Sequence, residues 1–236
     1  MTTLLDSIFG TYLGIEIKED SIVLTYLKNR LSGITLMATS TFPLKFEESV
    51  SDDVRGFISR HGTNVNKIFV SVPERWAITK FIDIPSMKGK GKGALANLMK
   101  FEIERHIPFE IDDVVYDFLI LESKGTANSV VFAAVQKDKI NMIKDYLGKL
   151  SLQANAITIS SFAVLNSIEL SGVSVGGWQD IIGIVRRSAI LGKKDEMNIS
   201  IYIDKKHASL VIIKDGLCTH MRSFSVDVSE TPEVFL

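Results

Sequence analysis

The sequence predicts an α/β protein in which two three-stranded meanders flank an inserted α/β module. Three observations carry this. Residues 11–42 form three short runs that alternate apolar and polar positions, separated by polar turns, the mark of antiparallel strands with one buried face. Residues 199–226 repeat that pattern. Between them, strand-like and helix-like runs follow one another in the order βαββαβ, which is ferredoxin-like.

In the first meander, Thr11–Ile17 sets Leu13, Ile15 and Ile17 against Tyr12, Gly14 and Glu16. Lys18-Glu19-Asp20 makes a tight turn, Ser21–Leu27 returns, and Gly33 precedes a third strand, Ile34–Phe42. Residues 49–61 then place Val50, Val54, Phe57 and Ile58 on one helical face, with Ser49 or Ser51 positioned as the N-cap. Lys67–Val72 is nearly continuous in apolar residues, as a buried parallel strand is. The first part therefore reads βββαβ.

The insert starts with a strand over Trp76–Ile84, stopped by Pro85, and a helix from about Gly93 to His106, stopped near Pro108. Val114–Leu121 and Ser129–Gln136 are strands joined by the turn Lys124–Asn128. Lys137–Leu150 is amphipathic, Ala154–Ser160 is a strand, and Ser161–Leu170 is helical. Gly172–Gly177 reads as loop, and Ile181–Leu191 fits strand or helix. The second meander consists of Ile199–Ile203, Ala208–Lys214 and Leu217–Val226, with Asp215-Gly216 as a hairpin turn. A three-stranded sheet rarely stands alone, so the second half is expected to be truncated and the chain to be a fragment of a longer protein. The expected domains are 1–73, 74–160 and 161–236.

Composition excludes several classes. Lys+Arg is 27 against Asp+Glu 28, which gives no basic excess for nucleic acid. Cys218 is the only cysteine, and the four histidines are scattered, so neither a disulfide nor a metal-ligand spacing is present. No apolar run is long enough to span a bilayer, and Met1–Gly10 lacks the pattern of a secretory signal, so the expected location is cytoplasmic.

Several motifs have a plain reading beside a functional one. Lys88-Gly89-Lys90-Gly91-Lys92-Gly93 precedes a helix, where glycine-rich loops hold phosphate. Ala94 stands where a P-loop has its hydroxyl, however, and a solvated loop fits better. Glu102, Glu104, Glu110, Asp112 and Asp113 read as a solvated helix end and loop rather than paired acid/base carboxylates. Arg186-Arg187 reads as a surface pair, Cys218 as a buried thiol, and Ser160-Ser161 lacks the setting of a nucleophile. Trp76 and Trp178 fit either core or a partner anchor.

Four stretches carry a resemblance: Tyr12–Ile17, Phe101–Phe109 (F-E-I-E-R-H-I-P-F), Val114–Phe118 and Ile201–Asp204. With the order of elements, they resemble the actin-like fold of FtsA. Closer still are the pilus-assembly protein PilM and the cytoplasmic part of the type II secretion protein GspL. The resemblance implies RNase H-like βββαβ units. It also implies two phosphate loops, at Lys18, Asp20 and Ser21 in the first half and at Asp204, Lys205 and Lys206 in the second. An active actin-like ATPase is expected to carry Asp-x-Gly in the first loop. Here Lys18 stands at the glycine position, and in the second loop Lys205 or Lys206 does. Such side chains crowd the space that backbone opens to phosphate. Glu19 and Asp20 also repel it, since two unit charges about 4 Å apart at an effective dielectric of 20 cost roughly 4 kcal/mol. Lys18, Lys205 and Lys206 offset part of this.

The implied function is a scaffold at the cytoplasmic face of the bacterial inner membrane, in a type II secretion or type IV pilus machine. It would recruit the secretion ATPase and membrane assembly proteins, with self-association into a homodimer as a further expectation, no chemistry of its own, and neither cofactor nor metal. The alternative is a nucleotide-binding ATPase that uses Mg-ATP at those two loops.

Overall fold

A computed structural model describes residues 10–30, 33–46, 50–61, 65–87, 92–172, 197–203, 207–214 and 217–226. The chain divides into two compact units, one holding residues 10–76 and 135–163, the other residues 77–134, 164–172 and 197–226.

The first unit is built on a five-stranded sheet in the order β3-β2-β1-β4-β8. Strands β1 (Gly10–Ile17), β2 (Ser21–Arg30) and β3 (Gly33–Pro43) form the predicted antiparallel meander. Its alternation works as expected: Leu13, Ile15 and Ile17 face Tyr26, Leu24 and Ile22 across the ladder, and all six are buried. Helix α1 (Asp52–His61) covers that face by setting Phe57 against Tyr26 and Phe42, with ring centroids 5.7 and 5.6 Å away. Ser51, one of the two expected caps, is the N-cap, its Oγ accepting from the Val54 amide. Asp52 and Asp53 in the first turn and Arg60 and His61 in the last complement the helix dipole. Strand β4 (Lys67–Val72) runs parallel to β1, with Ile68, Val70 and Val72 buried. Helix α3 (Lys137–Gly148) belongs to this unit and buries Ile140, Ile143, Tyr146 and Leu147.

In the second unit, β5 (Ala77–Pro85), β6 (Val114–Lys124) and β7 (Ala127–Gln136) form a sheet in the order β5-β7-β6. Helix α2 (Lys92–His106) packs Met99 and Ile103, one turn apart, into a core with Ile84, Val114, Val130 and Phe132. Gly125, at φ 55°, makes the sharp turn between β6 and β7 in a conformation that costs a side chain. Strands β9 (Met197–Ile203), β10 (His207–Lys214) and β11 (Leu217–Ser225) form the second antiparallel meander. Val211 and Cys218 pack with Leu165 of α4 (Ser160–Gly172) and with Phe81, Leu119 and Leu121.

Sheet membership corrects the expected ferredoxin-like insert. The order βαββαβ over 74–160 is present, but β8 (Ala156–Ile159) pairs in parallel with β4, from Phe69 opposite Ala156 to Val72 opposite Ile159. The insert's own sheet is therefore βαββ, and α3 and β8 return the chain to the first sheet. The reason is local: the Asn155 amide donates to the Ile68 carbonyl (2.8 Å), and Asn155 Oδ1 accepts from the Ile68 amide (2.7 Å). That pair of hydrogen bonds aims Ala156–Ile159 at β4. Trp76 is also corrected: it lies in a short 3-10 turn, Glu74–Trp76, and not within β5.

Candidate functional site

The first expected loop is the β1–β2 hairpin, and its turn is closed by its own groups. The Lys18 amide donates to the Ser21 carbonyl (2.8 Å), and the Leu44 amide donates to the Asp20 carbonyl (2.9 Å). Ser21 Oγ donates to Asp20 Oδ1 (3.2 Å). Lys18 Nζ lies 3.9 Å from Glu16, and Glu19 pairs with Arg75 at 2.9 Å. Lys18, Asp20 and Ser21 lie in this turn, and the Lys18 amide, which a phosphate loop turns outward, is used within the hairpin. The repulsion of phosphate expected of Glu19 and Asp20 is partly offset at Glu19 by Arg75, which the sequence did not point to, and Lys18 turns back to Glu16.

The second loop, Asp204, Lys205 and Lys206, lies outside the described residues, between β9 and β10. So do Lys88–Gly91, Trp178, Arg186-Arg187, Asp215-Gly216 and the element at 181–191; of the expected loop Gly172–Gly177, Gly172 is instead the last residue of α4 and the rest lies outside the described residues.

One group missed in the sequence, Glu74, lies beside the Arg75 that pairs with this hairpin. Glu74 is the first residue of the turn after β4, next to Arg75. Burial raises its carboxyl above the ordinary carboxylate range, and the Ser161 hydroxyl opposes that rise. Among the described residues, Glu74 Oε2 and Ser161 Oγ are both buried without a well-formed hydrogen bond. Ser161, at the start of α4, is buried, which removes it as an exposed nucleophile. The one available sequence signal was an acid placed directly after Pro73 at the end of a buried strand.

The other motifs follow their plain readings. Cys218 is a buried thiol whose Sγ lies 3.7 Å from the His220 carbonyl. In the acidic stretch, Glu102 pairs with Arg105 and Asp112 with Lys100 at the surface, where such pairs contribute little. Trp76 is half-buried, its ring beside Phe46 and under Lys139 Nζ at 5.7 Å. Among the described residues, no helix is long and apolar enough to cross a membrane.

A meander–helix–strand sheet joined to a second meander, with an insert between its fourth and fifth strands, defines an actin-like α/β fold, and the similar solved structures share it. The chain belongs to the family described as type IV pilus assembly protein PilM, whose sequence model matches residues 35–205, well over half of the chain. Among solved structures, it is similar to a chain of the PilM–PilN type IV pilus biogenesis complex, at 18% identity and a TM-score of 0.70, covering 92% of this chain and 62% of that one. It is also similar to the cytoplasmic domain of EpsL, an inner-membrane component of the type II secretion system of Vibrio cholerae. There the identity is 13% and the TM-score 0.53, covering 92% of this chain and 71% of that one. The chain thus spans less than two thirds of the length of its PilM–PilN counterpart.

Proposed function

We propose that this chain is a recognition domain of a type IV pilus or type II secretion assembly platform at the cytoplasmic face of the inner membrane. In this reading it binds a PilN-like membrane partner and the secretion ATPase, and hydrolyses nothing itself. Membership of the PilM family and the likeness to the EpsL cytoplasmic domain support the setting. The observation that carries the absence of turnover is the β1–β2 hairpin, where Lys18 replaces the small residue and its amide is bonded to Ser21. Among the described residues, Glu16, Glu19 and Asp20 stand there with Lys18 and Arg75.

A thermal-shift titration with Mg-ATP tests this. A ligand at 100 times its dissociation constant stabilises by about 2.7 kcal/mol, which a domain of this size shows as several degrees. The expected result is no shift for the natural chain, and a gain of binding in the Lys18→Gly, Lys205→Gly variant. A clear shift in the natural chain overturns the reading and makes the domain a nucleotide-driven switch. Pull-downs with the secretion ATPase and the membrane partners then test recruitment.

A further inference from the structure

We propose that β8 and the first turn of α4, residues 155–161, form a detachable strap. They leave the edge of β4 as one piece while the rest of the first sheet stays folded, and Asn155 is the latch that holds them down.

The strap is lightly held between two firm anchors. On one side α3 buries Tyr146 and Leu147, and the Leu152 amide closes the turn after it by donating to the Leu147 carbonyl (2.9 Å). On the other side Leu165 is packed with Val211 and Cys218. Over residues 148–164, all of them described, only Ile159 and Ser161 are buried. β8 is an end strand of 4 residues and, among the described residues, pairs with β4 alone. Local openings begin where buried apolar contacts are few and backbone hydrogen bonds lie at an edge. The anchors on either side keep such an opening from spreading.

The latch is a definite arrangement, and the sheet uses it twice. Asn66, the residue before β4, holds β1 as Asn155 holds β4. The Asn66 amide donates to the Thr11 carbonyl (2.8 Å), and its Oδ1 accepts from the Thr11 amide (2.8 Å). The two clamps differ in what lies beyond them. β4 has a neighbour on each side, so the Asn66 clamp is one support among many. β8 has a short ladder on one side, so the Asn155 clamp carries a large share of its attachment. Asn155 is also exposed, and water competes for its bonds.

Detachment uncovers two things at once. One is the row of backbone groups on the β4 edge from Phe69 to Val72. The other is Glu74, whose buried carboxyl has the Ser161 hydroxyl beside it. Glu74 adjoins the Arg75 that holds the β1–β2 hairpin through Glu19, so the strap covers the turn that braces that hairpin.

Hydrogen exchange on the natural chain, followed residue by residue with small additions of denaturant, tests the strap. The β8 amides are expected to exchange as one group, more than about tenfold faster than those of β1, with a weaker denaturant dependence because less surface opens. Exchange of β8 at the β1 rate and with the β1 denaturant dependence means that β8 opens only with the whole sheet, and overturns the proposal. Asn155→Ala removes the acceptor and is expected to speed β8 exchange about fivefold, the scale of one hydrogen bond, with β1 and β2 unchanged. Asn155→Asp keeps an acceptor oxygen and is expected to stay near the natural rate, and Asn66→Ala is expected not to single out β8. An Asn155→Ala effect spread evenly over β1, β2 and β8 overturns the latch. If Asn155→Ala fails to fold, the comparison of β8 with β1 in the natural chain decides.

Discussion

β1 and β9 open the two meanders with the same alternation, yet their apolar residues meet opposite fates. On β1, Leu13, Ile15 and Ile17 are 0–2% exposed. On β9, Ile199, Ile201 and Ile203 are 56–63% exposed, with Met197 beside them. Both strands pair with the strand that follows them. The difference lies in their other neighbours: β1 has β4 along its second edge and lies in the sheet that α1 covers, while β9, among the described residues, has β10 alone. Alternation therefore fixes which residues share a face, whereas burial depends on what packs against that face.

The largest expected effect tests that contrast directly. Leu13→Ala should cost about 2–5 kcal/mol by denaturant titration, because it leaves a cavity in a packed core. Ile201→Ala, which removes the same kind of side chain from an open face, should change stability by less than about 0.5 kcal/mol. Equal costs would mean that the β9 face is covered in solution. A smaller effect sharpens the contrast from the polar side, since the close packing of the first unit also traps Glu74. Its carboxyl titrates above the ordinary 4.5, so on raising the pH the unfolded chain releases this proton first. Stability should then fall as pH rises from about 4.5 through the raised folded value and stay lower above it. Glu74→Gln should flatten that slope in a series of melting curves, and an unchanged slope would count against a trapped carboxyl. The smallest effect is at Tyr26, whose buried hydroxyl has no hydrogen-bond partner among the described residues. Tyr26→Phe should be neutral or stabilising by up to about 1 kcal/mol, because it removes an unsatisfied polar group and keeps the ring against Phe57. Destabilisation would show that the hydroxyl is satisfied in solution.

Strands, helices and most boundaries were legible because each carries its own period or punctuation: the alternation of Leu13–Ile17, the spacing of Met99 and Ile103, the Ser51 cap, the stop at Pro85. Membership of β8 in the first sheet was not legible. Ala156–Ile159 is a short apolar run that suits any sheet, and its partner is chosen by Asn155 gripping Ile68 from a distant part of the chain. The hairpin at Lys18–Ser21 was legible as a loop in which charge stands where small residues are needed. The Arg75–Glu19 pair and the Glu74–Ser161 contact were not, because both arise from a turn between two expected strands to which the sequence reading assigned no element.

The grip of Asn155 on Ile68 joins residues 87 positions apart. During synthesis the first four strands and α1 can emerge and associate while β8 is still unmade. The last place in their sheet is filled only after the whole insert has left the ribosome. Closing so long a loop costs chain entropy that grows with its length, and an insert already folded shortens the loop that remains to be closed. The insert therefore bears on the timing of maturation: until β8 has been made and has paired, the nascent first unit carries an open β4 edge.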